Sequence, residues 1–385
     1  MERLGIDLIA AARPNFMKVA PLFHALHVQP WCKLRLVHTG QHYDRNMSEA
    51  FFRDLKLPSP DLHLGVGSGS HAEQTANVML AYEQACVADR PDLVVVVGDV
   101  NSTLACALVG SKLRITVAHL EAGLRSRDRD MPEEINRLVT DTVADVLWTP
   151  SPDGDENLLA EGVAPDKITR VGNIMIDSYE LMRGAIEASV ERKRLGLLGR
   201  EYGVVTLHRP SNVDESAPLA ALVRQLKAVA VRLPLVFPVH PRTRKNLEAF
   251  GLWPELAEAS GVTLIEPLGY VDFMNLVCGA RLTITDSGGV QEETTYLGIP
   301  CLTLRTTTER PITVTEGTNR LVAVYALART VEEILAGCWT HGRKPALWDG
   351  HTAARVAADI RRRLLGESDE TEPAETAVRQ AVGSA

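Results

Sequence analysis

Short apolar runs alternate with longer segments of helical periodicity along the chain. The clearest run is 93–97, a leucine followed by valines. A continuous β-branched run of this kind is typical of a strand that is buried on both faces of a parallel sheet. Comparable runs predict strands at 4–12, 34–39, 115–120, 146–149 and 168–171, and a second series at 203–207, 235–239, 262–265, 282–285 and 301–304.

Segments with helical periodicity separate these strands. The predicted helices are 19–27, 44–55, 71–88, 133–144, 215–232, 290–297, 331–338 and 351–365. A further helix follows the strand 93–97, and Asn101 or Ser102 is positioned to cap its start. This alternation, repeated twice, predicts an α/β fold with two doubly wound, Rossmann-like domains that face each other across a cleft.

The two series of strands also predict the domain boundaries. We assign 1–172 to the first domain and 173–365 to the second, with the last helix as a candidate to pack back on the first domain. The remaining segment, 366–385, is rich in Glu, Ala and Thr and is predicted to be a disordered tail. Ligands of such sheets bind outside the carboxyl ends of the strands, so the cleft is the expected active site.

The composition is that of a soluble globular protein. The chain has 385 residues, of which 45% are hydrophobic and 23% are charged. Its net charge of −8 argues against nucleic acid or an anionic membrane as a partner. The first residues lack a signal sequence and no apolar run reaches membrane-spanning length, so we expect a cytoplasmic protein. The six cysteines are dispersed, which favours buried free thiols.

The run 285–293, Thr-Asp-Ser-Gly-Gly-Val-Gln-Glu-Glu, links a predicted strand to a predicted helix. Glycines at such a turn let the backbone approach a ligand closely, and the free N–H groups of the helix start point at an anion. Glu292 and Glu293 follow one turn later, where a carboxylate can reach sugar hydroxyls. The same sequence is compatible with an ordinary turn whose acidic residues are favoured by the helix dipole.

Cationic residues follow several predicted strands and favour an anionic ligand. They are Arg13, Lys18, Arg209, His240 and Arg242, and the segment 305–310 adds two guanidinium groups. Arginine suits bidentate contact with phosphate. Each residue alone is compatible with a solvated surface position, but their shared placement at strand ends favours a binding role.

Carboxylates occupy equivalent places. Asp99 and Glu121 end adjacent predicted strands and are expected to face the cleft. Glu133 and Glu134 fall in the first turn of a helix, where position alone accounts for acidic residues. His208 is compatible with a general acid, a phosphate ligand or a structural histidine.

Several common chemistries lack their motifs. The first strand is not followed by G-x-G-x-x-G, and the sequence contains no Tyr-x-x-x-Lys, no Walker A motif and no zinc-type spacing. The sequence therefore indicates no cofactor and no metal. Acids, bases and a bound phosphate remain as the source of chemistry.

Together these residues resemble the non-hydrolysing UDP-N-acetylglucosamine 2-epimerases over nearly the whole chain except the tail. The matching segments, written from their first residue, are Arg13-Pro-x-x-x-Lys18, Thr39-Gly-Gln-His-Tyr, Gly98-Asp-x-Asn-Ser, His119-Leu-Glu-Ala-Gly-Leu-Arg-Ser, Pro132-Glu-Glu-Ile-Asn-Arg137, His208-Arg209, Asp286-Ser-Gly-Gly-x-Gln-Glu-Glu293 and Thr308-Glu-Arg-Pro. The family has the GT-B fold and binds its nucleotide mainly through the second domain.

The resemblance implies a reaction and a set of roles. UDP-N-acetylglucosamine and UDP-N-acetylmannosamine would interconvert by elimination of UDP to 2-acetamidoglucal and re-addition, without a cofactor. The implied acid and base groups are Asp99, Glu121 and Glu133, and His208 would assist departure of UDP. The implied ligands of the nucleotide sugar are Arg13, Lys18, Arg137, His208, Ser287, Gly288, Gly289, Glu293 and Arg310, with Glu293 on the ribose.

Bacterial members of the family are activated by their own substrate at a second site and form homodimers, and both properties are implied here. The residues that match the second site are Gln41, His42, Glu134, Arg209 and His240. Leu268 stands where some members have Gln near the uracil, which leaves recognition of the base open.

Three alternatives to this reaction remain. One is an epimerase of a UDP-diacetamido sugar, and another is a hydrolysing epimerase that releases UDP and N-acetylmannosamine. A GT-B glycosyltransferase is the alternative from a different class, although it would leave the clustered acids with less to do.

Overall fold

A computed structural model describes residues 3–11, 13–40, 55–339 and 342–366, without the side chains of 13 and 14. The predicted helix 44–55 lies outside this description except for its last residue, and so does the predicted tail after residue 366. Gln41 and His42 lie outside it as well. Within the described residues no helix is long and apolar enough to cross a membrane.

The first domain is built on a seven-stranded parallel sheet in the order β3-β2-β1-β4-β5-β6-β7. Its strands are β1 (Leu4–Ala10), β2 (Cys32–His38), β3 (Leu62–His63), β4 (Leu93–Val97), β5 (Thr116–Leu120), β6 (Val146–Thr149) and β7 (Ile168–Arg170). The valine run of β4 is completely buried at the centre of this sheet, as the sequence predicts.

The second domain repeats the arrangement with a six-stranded parallel sheet, ordered β10-β9-β8-β11-β12-β13. Its strands are β8 (Gly203–Thr206), β9 (Leu235–Pro238), β10 (Val262–Ile265), β11 (Leu282–Thr285), β12 (Cys301–Thr303) and β13 (Asn319–Leu321). Each sheet starts at a central strand, winds to one edge and then crosses to the other side, so each has a switch point where ligands bind.

Helices cover the faces of both sheets. In the first domain they are α1 (Arg13–His27), α2 (His71–Ala88), α3 (Asn101–Lys112), α4 (Pro132–Val143) and α5 (Pro152–Ala160). The connection to the second domain contains α6 (Ile174–Ala188) and α7 (Glu191–Arg194). The second domain adds α8 (Pro210–Val213), α9 (Ser216–Ala230), α10 (Pro241–Ala249), α11 (Trp253–Ala257), α12 (Tyr270–Cys278), α13 (Gly288–Leu297), α14 (Ile312–Thr315), α15 (Leu327–Leu335) and α16 (Thr352–Leu365).

One apolar core continues from the first sheet through α6 into the second domain. Helix α6 packs against α1 on one side and against α12 and α13 on the other. Helix α16 contacts α1, and its Asp359 accepts a hydrogen bond from Trp148 Nε1 at 2.8 Å. The two sheets are therefore held in a fixed relation by helices that touch both domains.

The sequence missed two of the four edge strands, β3 and β13, and misplaced one helix cap. Val100, and neither Asn101 nor Ser102, precedes the first turn of α3. The amide of Asn101 instead donates to Gln74 Oε1 at 2.9 Å, and the hydroxyl of Ser102 contacts that of Thr39 at 2.9 Å. The two side chains that were expected to cap the helix therefore form hydrogen bonds with residues distant in the sequence. The expected free thiols are found, and four of the six cysteines are buried.

Candidate active site

The first domain brings Asp99 and Glu121 together at the carboxyl ends of β4 and β5. These strands are paired up to Val97 and Leu120, and Gly98 N donates to the Leu120 carbonyl at 3.0 Å. The carboxylate of Glu121 is buried and forms an ion pair with Lys18 Nζ, while Asp99 forms an ion pair with Arg137. Each of these two carboxylates at the cleft is therefore paired with a cationic side chain.

The turn after β5 holds Glu121 in a conformation that few residues adopt. Its φ is +71°, in the left-handed region that is rare for residues with a side chain. Gly123 follows at φ +78°, and a Cβ there would lie 2.3 Å from the Gly154 carbonyl oxygen. Strained backbone that the surroundings enforce is common at functional sites. The Glu121 carboxylate is thus aimed by the fold, and its Oε1 lacks a hydrogen-bond partner among the described residues.

Glu134 holds the guanidinium of Arg137 in place. The guanidinium donates to Glu134 Oε2 from Nη2 at 2.7 Å, and the same carboxylate accepts from the backbone of Ser126 and Arg127. Burial raises the pKa of Glu134, but these hydrogen bonds outweigh burial and hold it below its usual range. The structure therefore places Glu134 beneath the cleft, as the support of Arg137. Glu133, its neighbour, is exposed and acts electrostatically on Arg209 of the second domain.

The facing wall of the cleft is organised by Asp286, which is fully buried after β11. It accepts hydrogen bonds from the backbone N–H of His208 at 3.1 Å and of Arg209 at 2.9 Å, and from Asn212 Nδ2 at 3.0 Å. Its Oδ1 lies 3.1 Å from Nδ1 of the half-exposed His208 ring. Burial raises the pKa of Asp286, yet the histidine and these donors keep it low. Asp286 therefore orients His208 towards the cleft.

The predicted anion-binding turn lies at the start of α13. Ser287 precedes the helix, and its side chain makes no capping hydrogen bond in the described structure. The first N–H groups of the helix, on Gly288 and Gly289, are thus free to meet a ligand. A Cβ on Gly288 would lie 2.7 Å from Glu309 Oε1 and 2.9 Å from Arg310 Nη1, so any side chain at this position would have to displace this ion pair.

Arg310 connects this turn to both domains. It forms ion pairs with Glu309 at 2.6 Å and with Glu292 at 2.8 Å, and its electrostatic interactions extend to Glu121 and Lys18 of the first domain. Burial would lower the pKa of Arg310, but these carboxylates raise it, so the residue remains a cation. The cations of the two domains therefore face the same space.

Two buried carboxylates of α13 complete the second wall. Glu292 Oε1 accepts a hydrogen bond from Asn173 Nδ2 at 2.9 Å, at the start of α6. Burial raises the pKa of Glu293 to about 8. One oxygen of each carboxylate has no hydrogen-bond partner among the described residues. Buried acceptors without donors are costly, and they mark a place where ligand hydroxyls would be stabilising.

Arg209 and His240 border the cleft farther out. The guanidinium of Arg209 donates from Nε to the Asp286 carbonyl at 3.0 Å and approaches Met131 of the first domain at 3.9 Å. The rings of His240 and His208 are 5.5 Å apart, and burial lowers the pKa of His240. The guanidinium of Arg242, in contrast, forms an exposed ion pair with Asp214, while its backbone N–H donates to His240 Nδ1 at 3.2 Å. The Arg242 side chain is therefore engaged in a surface ion pair.

The structure thus assembles most of the residues singled out from the sequence. The side chain of Arg13 and residues Gln41 and His42 lie outside the described part. Asn173 was missed, because no local motif marks a residue whose partner, Glu292, is 119 positions away. No group of three metal-ligating side chains is present in the described residues.

Comparison with known proteins identifies the family. The family model for UDP-N-acetylglucosamine 2-epimerase matches residues 24–361. A UDP-N-acetylglucosamine 2-epimerase of Methanocaldococcus jannaschii is 42% identical over 327 residues, covering 83% of this chain and 88% of that protein. A UDP-2,3-diacetamido-2,3-dideoxy-D-glucuronate 2-epimerase of Pseudomonas aeruginosa is 41% identical over 323 residues, covering 83% and 88%.

Solved structures agree with this result. The crystal structure of the M. jannaschii UDP-GlcNAc 2-epimerase in complex with UDP-GlcNAc and UDP has a TM-score of 0.83 at 39% identity, covering 92% of this chain and 99% of that chain. The architecture of two Rossmann-like domains across a cleft, the GT-B fold, is thereby confirmed. The chain belongs to the UDP-N-acetylglucosamine 2-epimerase family.

Proposed function

We propose that the protein interconverts UDP-N-acetylglucosamine and UDP-N-acetylmannosamine without hydrolysing them. The observation that carries this proposal is the meeting of the Asp99 and Glu121 carboxylates with the anion-binding turn of α13 across one cleft. Acid–base groups on one wall and a diphosphate site on the other are what elimination and re-addition of UDP require.

The proposed step removes the proton at sugar carbon 2 while the bond from carbon 1 to the UDP oxygen breaks. The electron pair of the C–H bond forms the double bond of 2-acetamidoglucal, and the electron pair of the C–O bond leaves with UDP. Re-addition returns UDP to carbon 1 and a proton to the opposite face of carbon 2. Inversion therefore needs proton transfer on both faces, and hence more than one acid–base group.

Asp99, Glu121 and Glu133 supply these groups in our proposal. Arg137 and Lys18 hold Asp99 and Glu121 in place by ion pairs, and the exposed Glu133 interacts electrostatically with Arg209 of the second domain. Each of the three lies on the first domain, opposite the nucleotide, which leaves the sugar between the two walls.

The second domain stabilises the leaving group in our proposal. The N–H groups of Gly288 and Gly289, with Ser287 and Arg310, meet the diphosphate, and His208 assists its departure. Preorganised donors at the site of developing charge are usually the largest catalytic contribution. Glu293 accepts hydrogen bonds from the ribose hydroxyls through its unpartnered oxygen. Arg13 is assigned to the nucleotide sugar by its match to the family motif alone.

A second, activating substrate site is part of the proposal. Arg209 and His240 border the cleft next to His208, which suits a second UDP-sugar beside the first. Gln41 and His42 are assigned to this site by their match to the family motif alone. Glu134 would contribute through the backbone that it holds at 126–127. A homodimer is proposed from family membership.

The relative from P. aeruginosa supports a second candidate substrate, a UDP-diacetamido uronic acid. Incubation of the purified protein with each nucleotide sugar, followed by anion-exchange chromatography and ³¹P NMR, separates the candidates. We expect conversion of UDP-N-acetylglucosamine to its epimer with the diphosphate intact. Stoichiometric release of UDP with free N-acetylmannosamine would show a hydrolysing enzyme, and conversion of the diacetamido sugar alone would replace the proposed substrate.

Three substitutions test the assignment of roles. We expect Asp99→Asn, Glu121→Gln and His208→Ala each to lower kcat by about 10²–10⁴-fold, the usual contribution of a general acid or base. Circular dichroism and urea unfolding check that the fold is retained. Glu255→Gln is the matched control, because Glu255 forms an exposed ion pair with Lys227 outside the residues assembled in the cleft and is expected to leave kcat unchanged. Full activity in all three variants would refute the assignment.

A further inference from the structure

A buried histidine links the two turns that carry Asp99 and Glu121. His119 lies on β5 and is completely inaccessible to solvent. Its Nε2 is 2.8 Å from the carbonyl oxygen of Gly98, the residue before Asp99. Its Nδ1 is 2.6 Å from Oδ1 of Asp141 on α4. Both ring nitrogens therefore face oxygen acceptors.

Asp141 carries the connection onward to the second turn. Its Oδ2 accepts a hydrogen bond from Gly123 N at 3.0 Å, two residues after Glu121, and forms an ion pair with Arg125 at 2.7 Å. Burial raises the pKa of Asp141, but His119 and Arg125 hold it below its usual range. A chain of hydrogen bonds thus runs from the Gly98 carbonyl through the imidazole and the carboxylate to the Gly123 N–H.

This chain joins two turns whose backbone is left-handed. Gly98 and Gly123 have φ angles of +72° and +78°, which glycine adopts readily, whereas Glu121 has +71° and carries a side chain. A residue with a side chain keeps such a backbone only where the surroundings enforce it. Asp141 and the imidazole bind both turns through side chains, in addition to the backbone hydrogen bond from Gly98 N to the Leu120 carbonyl.

We propose that His119 and Asp141 are a positioning pair that fixes the Asp99 carboxylate relative to the Glu121 carboxylate during epimerisation. Neither residue touches the cleft, so the pair acts through the two turns. The inference rests on the proposed function, because it assumes that Asp99 and Glu121 transfer protons. Misplacement of a reacting group by about 1 Å can cost on the order of 100-fold in rate, so small losses of order are expected to be measurable.

Two variants and a control test the pair. In Asp141→Asn, one oxygen is kept for Gly123 N, but the charge that holds the imidazole and Arg125 is lost. In His119→Gln, both N–H groups of the amide are on one nitrogen, which cannot replace two ring nitrogens that face Gly98 and Asp141 separately. Asp359→Asn is the control, since Asp359 is also a buried, ion-paired carboxylate, but it anchors α16 to Trp148 away from the two turns.

The expected result separates positioning from a general effect on stability. We expect kcat to fall about 100-fold in Asp141→Asn and in His119→Gln, with the Kd for UDP changed less than about 3-fold, because the proposed diphosphate donors of α13 lie on the other domain. We also expect released 2-acetamidoglucal to increase relative to epimer. Asp359→Asn is expected to keep wild-type kcat and product ratio.

Two outcomes would overturn the inference. One is that the variants bind UDP normally and keep a kcat within about 3-fold of wild type, whereas misplaced carboxylates are expected to lower kcat about 100-fold. The other is a loss of kcat and of UDP affinity that Asp359→Asn shows to the same degree. The wild-type protein is assayed first: an inactive wild type contradicts the proposed function, and active variants of an active wild type contradict the positioning pair alone.

Discussion

Gly288 offers a sharp test of the described cleft, because its neighbour Gly289 is a matched control. Both glycines occupy the first turn of α13, so replacement by alanine has the same effect on helix propensity. They differ in what a Cβ would meet. At Gly288 it would lie 2.7 Å from Glu309 Oε1 and 2.9 Å from Arg310 Nη1, whereas at Gly289 the nearest atom is Met175 Cε at 3.9 Å.

The cost at Gly288 follows from these distances. An ordinary contact begins at 3.4 Å, so the Glu309 carboxylate must withdraw by about 0.7 Å. It cannot do so freely, because it is buried and holds Arg310 at 2.6 Å and Arg305 at 2.8 Å. Overpacking of this kind costs about 1–3 kcal/mol. The gain in helix propensity, up to about 1 kcal/mol, is common to both variants and cancels in their difference.

We therefore expect Gly288→Ala to be less stable than Gly289→Ala by about 1–3 kcal/mol. Urea unfolding of the two variants side by side measures this difference. Since the same displacement moves Arg310, we also expect UDP to bind at least about 10-fold more weakly to Gly288→Ala than to wild type, a loss of about 1.4 kcal/mol, measured by calorimetry. Equal stability of the two variants, with wild-type UDP affinity in Gly288→Ala, would refute the described packing of Glu309 and Arg310.

Three further predictions address other parts of the molecule. Asn173→Ala removes the cap of α6 at Met175 N and the donor to Glu292, so we expect a loss of about 2–3 kcal/mol in urea unfolding; a loss below about 0.5 kcal/mol would contradict it. Burial raises the pKa of Asp177 from 3.8 to about 6, so the folded state binds the extra proton and the free energy of unfolding falls as pH rises through this window. Asp177→Asn should remove about 2.4 kcal/mol of that fall between pH 4 and pH 7, and an unchanged pH slope would exclude it. Burial raises the pKa of Glu293 to about 8, so its carboxyl group is mostly protonated at pH 7. Hydrogen bonds from ribose hydroxyls favour the ionised form, so the Glu293 carboxyl group should release its proton when UDP binds at pH 7. Calorimetry in buffers of different ionisation enthalpy should show this release in wild type and not in Glu293→Gln; equal release in both would refute it.

Much of the fold was predictable because buried parallel strands are continuous apolar runs. The strand 93–97 and its neighbours were found with boundaries correct to one or two residues. The edge strands β3 and β13 were missed, because one has two residues and the other, Asn319–Leu321, is largely polar. A strand of two residues, or one with mostly polar residues, carries too few apolar positions to give a periodic signal.

Parts of the candidate site could not be predicted from the sequence for a different reason. Motifs placed Asp99, Glu121 and the turn of α13 at strand ends, and the parallel topology then brings them together. The sequence did not reveal that the Glu134 carboxylate accepts hydrogen bonds from Arg137 and from the backbone at 126–127. It also gave no sign that Asn173 joins Glu292. Such contacts depend on the relative position of elements far apart in the chain, which local patterns do not encode.

The measurement that tests the account most directly is proton NMR of the purified protein with UDP-N-acetylglucosamine in deuterated water, without added cofactor. We predict an equilibrium with UDP-N-acetylmannosamine in which both sugars acquire deuterium at carbon 2. The deuterium would report proton removal and return by the cleft acids, and the intact UDP linkage would report re-addition. Epimer formed with its carbon-2 proton retained, or UDP accumulating beside free N-acetylmannosamine, would contradict the proposed mechanism.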